Sequence, residues 1–327
     1  MKTKVVYVLV SDDRDIYLEQ LFVSLYTLLF YNPNQEVILL VDDKTDISLV
    51  GFRKEVLKFV TTKIVVDTPK DYDKKLRSRY IKTTMINYIN EPFLFIDTDT
   101  IISDSLDYFD SVGCDFDVAM CADRHYDVFC TPGVYKKSID LALTSVSMKF
   151  EDLKECYFNS GVIYVNPTIS SKELFNKWNL LWTYSKSNGS SQDQPALAKA
   201  IYEVNPKIKK LDGIYNCQIT SNAMKYLYGA KIIHYFASVN NVTQSPYLFA
   251  NDFFFKNIKN KQSLDSNDIK RILDPKTAFV GVSEVCSESS GMVEMNYYSN
   301  NYSGLFHFFL RILSLRCNIT LLKKKIL

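Results

Sequence analysis

The feature that most constrains the fold is a repeated alternation of short apolar runs with segments whose apolar residues recur at helical spacing. The series begins with KVVYVLV at 4–10, apolar and β-branched like a parallel strand buried on both faces. Ile16, Leu18, Leu21, Phe22, Leu25, Leu28 and Leu29 then fall on one helical stripe. EVILLV at 36–41, a helix near 46–59, KIVV at 63–66, a helix near 74–89, FLFI at 93–96 and DVAMCA at 117–122 continue the rhythm. Strands alternating with helices predict an α/β fold, a mainly parallel Rossmann-like sheet flanked by helices.

FNSGVIYVN at 158–166 reads as a further strand, followed by a helix around Trp178 and Trp182 and the polar break SKSNGSSQDQ. A helix from Ala196 to Tyr202 and a strand KIIHYF come next. Beyond about residue 245 the rhythm fades, which divides the 327 residues into a domain over 1–245 and a C-terminal extension over 246–327. Lys plus Arg number 39 against 37 Asp plus Glu, so nothing in the overall charge calls for a nucleic-acid partner. Seven cysteines, an odd number without CxxC pairs, argue against a disulfide framework or a thiolate zinc site and for a cytoplasmic setting. The N-terminal apolar run is too short for a signal peptide, and no run reaches the roughly 18 residues of a spanning helix.

Ligands of open α/β sheets bind beyond the carboxyl ends of the strands, which directs attention to Ser11, Asp12 and Asp13, to Asp42 and Asp43, to Asp97 and Asp99, and to Asp123. Asp97 and Asp99 follow FLFI at i and i+2, so an extended backbone turns both carboxylates to one side. Two like charges held so close call for a cation. Hard carboxylate oxygens suit Mg²⁺ or Mn²⁺, either of which can bridge a diphosphate. The competing reading makes Asp99 or Asp104 the cap of a helix starting at Ser105. His234, closing KIIH, either completes such a Mn²⁺ site or is a hydrogen-bonded structural histidine. Asp193 and Gln194 precede a helix, where they either bind sugar hydroxyls or cap it. Asn159, Ser160 and Gly161 interrupt an apolar strand, where a glycine marks a bulge or a close approach.

FLFIDTDTIISDSL, CYFNSGVIYVNP, QDQPAL and KIIHY, in that order, make the chain resemble the family-eight retaining glycosyltransferases over about residues 4–240. The resemblance implies a GT-A fold, a UDP-sugar donor, and Mn²⁺ bound by Asp97, Asp99 and His234. It also implies a nucleotide lying against Ser11, Asp12 and Asp13, with Tyr17 stacking on the base, and Lys82 near the donor sugar and phosphates. Asp123, Asn159, Asp193 and Gln194 match residues that line the sugar pocket. The implied reaction transfers a hexose, glucose or galactose, to a saccharide or glycolipid acceptor. Retention then comes by front-face attack, or by double displacement through Asp193 or Gln194. The chain departs from the pattern where Arg14 and Asp15 replace an aromatic residue. It departs again where Ala237 and Asn240 replace a glycine and a lysine that contacts the diphosphate.

Two other readings compete. A DxD phosphatase would want Thr or Val where Ile101 stands, and a non-catalytic sugar-binding descendant would account for Ala237 and Asn240. In segment 305–327, Phe306, Phe308, Phe309 and Leu310 stand beside Arg311, Arg316 and Lys323 to Lys325, with no acidic residue. That mixture predicts contact with a membrane surface, or else a terminal helix docked on the domain.

Overall fold

The computed structural model describes residues 1–187, 189–220, 223–236 and 247–279. The apolar runs are buried from both sides, as their composition requires, except KIVV, which lies at a sheet edge with Val65 exposed. In chain order the regular elements are β1 (Lys4–Leu9), α1 (Tyr17–Tyr31), β2 (Val37–Asp42), α2 (Asp43–Ser48), β3 (Thr62–Val66), α3 (Lys74–Thr84), β4 (Phe93–Ile96) and β5 (Thr100–Ile102). They continue with β6 (Val118–Ala122), α4 (Gly133–Leu143), β7 (Phe158–Val165), α5 (Ile169–Ser187), α6 (Gln194–Val204), β8 (Ile208–Lys210), β9 (Cys217–Gln218), β10 (Ile232–His234), α7 (Asp252–Lys261) and α8 (Ser266–Leu273).

Seven strands form the main sheet in the order β3-β2-β1-β4-β7-β6-β8. The first four are mutually parallel, β7 runs antiparallel to β4 and β6, and β8 returns parallel to β6. This is the α/β sheet flanked by helices that the sequence predicts. Successive residues of a strand point to opposite faces. Accordingly Val6 and Val8 join one core with Leu40, Phe95 and Trp178, while Val5, Tyr7 and Leu9 join the other with Leu39, Leu94 and Val162. A second sheet, β5-β10-β9, lies beside the end of β4. A third core packs Ile101 and Ile233 of that sheet and Val23 of α1 against Tyr247, Phe249, Phe255 and Phe279.

The expected helix near 46–59 is a correction: the chain forms α2, then a separate 3₁₀ segment, Gly51–Phe59. Leu49 and Val50 divide them, because their ψ angles of 67° and 161° leave the helical region before the 3₁₀ segment begins at Gly51. The expected helix near 74–89 ends as α3 at Thr84 and continues as a short 3₁₀ turn, Met85–Tyr88. Among the described residues no helix is long and apolar enough to cross a membrane. Ala237, Asn240 and 305–327 lie outside the described residues.

Candidate functional site

β4 ends at Ile96 and β5 begins at Thr100, so Asp97 and Asp99 occupy the three-residue step between the two sheets. That step is fixed by backbone on both sides. The Asp97 amide donates to the carbonyl of Gly161 at 2.8 Å, and the Asp99 carbonyl accepts from Tyr235 at 3.1 Å. A buried hydroxyl relay adds to this, with Tyr7 on Ser24 (2.8 Å), Ser24 on Thr100 (2.9 Å), and Thr100 donating to the Asp97 carbonyl (2.9 Å). Neither acid caps a helix, and Asp104 is spent on the Ser105 amide and on Lys231.

β10 pairs antiparallel with β5, setting His234 opposite Thr100. The imidazole Nε2 thereby lies 3.3 Å from Asp99 Oδ1. One ligand atom from each of Asp97, Asp99 and His234 falls within 4.8 Å of the others, a hard two-oxygen, one-nitrogen set that suits Mn²⁺ or Mg²⁺. Gly161 makes this approach possible, since a Cβ there would lie 2.3 Å from His234 Cε1. Glycine at 161 thus serves a close approach, and the register of β6 against β7 also shifts, between Met120 and Ala122.

The imidazole is oriented by a chain of amides. The Gly161 N–H donates to Asn159 Oδ1 (2.9 Å), which forces the Asn159 amide nitrogen toward Asp123 Oδ1 (2.7 Å). Asn216 Nδ2 donates to the same Asn159 oxygen (3.0 Å), leaving Asn216 Oδ1 to face His234 Nδ1 at 3.2 Å. An acceptor at that position requires the proton on Nδ1 and leaves the Nε2 lone pair toward Asp99 and the ion site.

Facing the acids, α3 contributes two cations one turn apart. Lys82 is 2% exposed, with Nζ 3.1 Å from both oxygens of Asp97, 3.9 Å from Asp193 Oδ2 and 5.0 Å from the centroid of the Phe95 ring. It is no solvated surface lysine. Arg79 Nε lies 3.0 Å from Asp193 Oδ1. Asp193 precedes α6, yet its side chain makes no capping bond and turns instead to Arg79, Lys82 and Ser160 Oγ (3.4 Å). Its carbonyl is anchored by the indole of Trp178 at 2.8 Å.

These surroundings divide four acids, Asp99 and Asp193 buried and Asp97 and Asp123 half-buried. Burial pushes the Asp97 carboxyl above the ordinary range, Lys82 opposing and Asp99 reinforcing the shift. For Asp99, burial is outweighed by the attraction and hydrogen bond of His234, and the carboxyl sits low. Burial is likewise outweighed at Asp193 by Arg79 and Lys82, so it too is lowered. Asp123 is raised by burial against the hydrogen bond from Asn159, with Gln194 and the Tyr135 hydroxyl also on its carboxyl.

A cleft of about 760 Å³ opens here, lined by Tyr17, Lys82, Asp97, Asp99, Asp123, Asn159, Asp193, Gln194 and His234. The expected residues Ser11, Asp12 and Asp13 are not on its wall. Ser11 is tied to Thr45 and Asp15, Asp12 to Arg14 (2.9 Å) and Lys74 (2.7 Å), and the Asp13 carbonyl to Lys259. Sequence reasoning missed Arg79 and Asn216. Arg79 had a signal, standing three residues before Lys82 on one helix face. Asn216 had none, because its partners come from distant segments.

A family model described as Glycosyl transferase family 8 matches residues 17–240. No curated protein sequence matched the chain. Among solved structures the fold is similar to the galactosyltransferase LgtC in complex with donor and acceptor sugar analogues, with a TM-score of 0.51 at 17% identity over 83% of this chain and 100% of that one. It is also similar to mouse xyloside xylosyltransferase 1 in its apo form, with a TM-score of 0.50 at 12% identity over 75% and 100%. At such identities the likeness is one of fold, and the fold is GT-A.

Proposed function

The chain belongs to glycosyltransferase family 8, and on that premise we propose that it moves a hexose, glucose or galactose, from a UDP-sugar to a saccharide or glycolipid acceptor with retention of configuration. The observation that carries this reading is the convergence of Asp97 and Asp99, from the step between β4 and β5, with His234 of β10 at a cleft whose opposite wall is cationic. Those three residues would hold Mn²⁺ or Mg²⁺, which when bound offsets the negative charge that grows on the departing diphosphate. Lys82 stands ready beside the same charge, buried and therefore little screened by water. Tyr17, on the cleft wall, takes the nucleoside.

Asp123, Asn159, Asp193 and Gln194 meet the sugar. Asp193 is pinned by Arg79 and Lys82, and a carboxylate so neutralised is a poor nucleophile. This supports front-face attack, in which the departing phosphate takes the acceptor's proton, over double displacement through Asp193. The test is a panel of UDP-sugars incubated with Mn²⁺ and read as released UDP. Release from UDP-glucose or UDP-galactose, abolished by EDTA, is the expected result. Turnover of a different nucleotide's sugar, with none from any UDP-sugar, would sink the reading.

We also propose, from sequence alone, that 305–327 holds the enzyme at an anionic membrane surface near a lipid-linked acceptor. Full-length protein should sediment with phosphatidylserine vesicles at low salt and be released at high salt, as surface attraction is screened. Protein truncated from residue 304 should not sediment. A full-length chain indifferent to such vesicles would remove the proposal.

A further inference from the structure

Resting on the donor proposed above, we infer that Arg79 is a second cation for the donor's diphosphate, making up for the absence of a lysine at position 240. Asn240 stands where the family resemblance implies that phosphate-contacting lysine, so the chain needs another source of positive charge or binds its donor more weakly. Arg79 lines the cleft. Its Nε lies 3.0 Å from Asp193 Oδ1 without hydrogen-bonding to it, and its two terminal amino groups hydrogen-bond to no described residue. A guanidinium carries five donors in a planar fork that matches phosphate oxygens, so among the described residues its hydrogen-bonding capacity is uncommitted.

Its position supplies the rest of the case. On the donor proposed above, the diphosphate links a nucleoside taken by Tyr17 to a sugar met by Asp193, and so lies between those two lining residues, beside the metal ligands. The groups whose charge acts on Arg79 are Asp193 first, then Asp97, Asp99 and Tyr17, after the opposing effect of burial. The guanidinium therefore sits within electrostatic reach of all three landmarks. It also lies one turn from Lys82, which is engaged with both oxygens of Asp97. Lys82 must serve both Asp97 and the phosphates, Lys74 of the same wall is paired with Asp12 and Asp15, and Arg79 relieves that double demand. A sugar carboxylate is the other anion this fork would fit, but it would meet only the Asp193 end.

The test is calorimetric titration of UDP, UMP and uridine into full-length protein with Mn²⁺, for wild type, Arg79→Met and Arg79→Lys. Wild-type binding of UDP tests the donor reading on its own, before any variant is compared. Given that binding, Arg79→Met is expected to weaken UDP on the order of tenfold or more, as loss of a charge-assisted hydrogen bond does, with uridine unchanged and UMP affected less. Arg79→Lys keeps the charge and should recover part of the loss, which separates charge from folding. Undiminished UDP affinity alongside slower transfer would make Arg79 only a positioning residue for Asp193 and overturn the inference. So would a loss confined to UDP-glucuronate relative to UDP-glucose, which would assign the guanidinium to a sugar carboxylate.

Discussion

Two acidic segments leave the carboxyl ends of parallel strands in this molecule, Asp12 to Asp15 after β1 and Asp97 to Asp99 after β4, and in the sequence they look alike. In the fold they are opposites. Asp12 and Asp15 are paired with Arg14 and Lys74, from their own loop and the neighbouring α3, at a partly exposed surface. Asp97 and Asp99 are held in a step between two sheets, with a histidine brought across by β10 and a lysine by α3. Acidity alone is thus common and easily neutralised locally. Side-chain exposure does not separate the pairs, 25% at Asp97 against 26% at Asp12; what makes an acid pair chemical is a nitrogen ligand that only a distant strand supplies.

The comparison is broken most directly at Asp97 and Asp99. Asp97→Ala or Asp99→Ala should each lower transfer by at least about a thousandfold, because an incomplete ligand set loses the ion that stabilises the leaving group. The fold should survive, since neither side chain belongs to a hydrophobic core. Steady-state rates with and without EDTA, beside circular dichroism spectra, check this. Wild-type turnover in either variant would place the acids on a par with the surface loop.

A third acid asks whether burial suffices without a metal. Asp193 is as buried as Asp99 but faces two cations and no histidine. Asp193→Asn or Gln194→Ala should slow transfer on the order of a hundredfold through misplacement of the sugar, while UDP affinity changes little. Titration of UDP into each folded variant decides it. Loss of UDP binding would move these residues from the sugar to the nucleotide.

How far this was legible in the sequence follows the same division. The apolar runs of β1, β2, β4 and β7 were readable because strands buried on both faces admit almost nothing but apolar residues. The two halves of the 46–59 segment were not, since its amphipathic spacing hid the extended backbone at Val50. Asp97 and Asp99 announced themselves by spacing, and His234 by its place at a strand end. Why that histidine is a ligand was not readable, because it depends on β5 pairing antiparallel with β10, a contact between segments far apart in the chain. The amide relay through Asn159 and Asn216 was invisible for the same reason. It can be tested separately: Asn216→Leu should lower Mn²⁺ affinity about tenfold or more, as loss of a ligand's supporting hydrogen bond does. The ¹⁵N shifts of His234 in the metal-free protein should report a mixed tautomer, and an unchanged Nδ1–H form would remove Asn216 from the account.

The smallest effect is expected at the loop. Arg14 and then Lys74 hold the Asp12 carboxyl below the ordinary carboxylate range. A carboxyl lowered by folding stabilises the native state above its unfolded pKa, and that contribution is lost only as pH falls toward the folded value. At neutral pH the full contribution is therefore present, but an ion pair this accessible is worth about 0.2–1 kcal/mol. Asp12→Asn should accordingly lower the melting temperature slightly at pH 7, and by less as the medium is acidified toward the point where the wild-type carboxyl is itself protonated. UDP affinity should change less than about threefold, a difference well under 1 kcal/mol, because the side chain is turned to Arg14 and Lys74 and not to the cleft. A tenfold loss of UDP binding in a folded Asp12→Asn protein would make the loop carboxylate a nucleotide ligand. The contrast between the loop acids and the Asp97–Asp99 pair would then be one of degree.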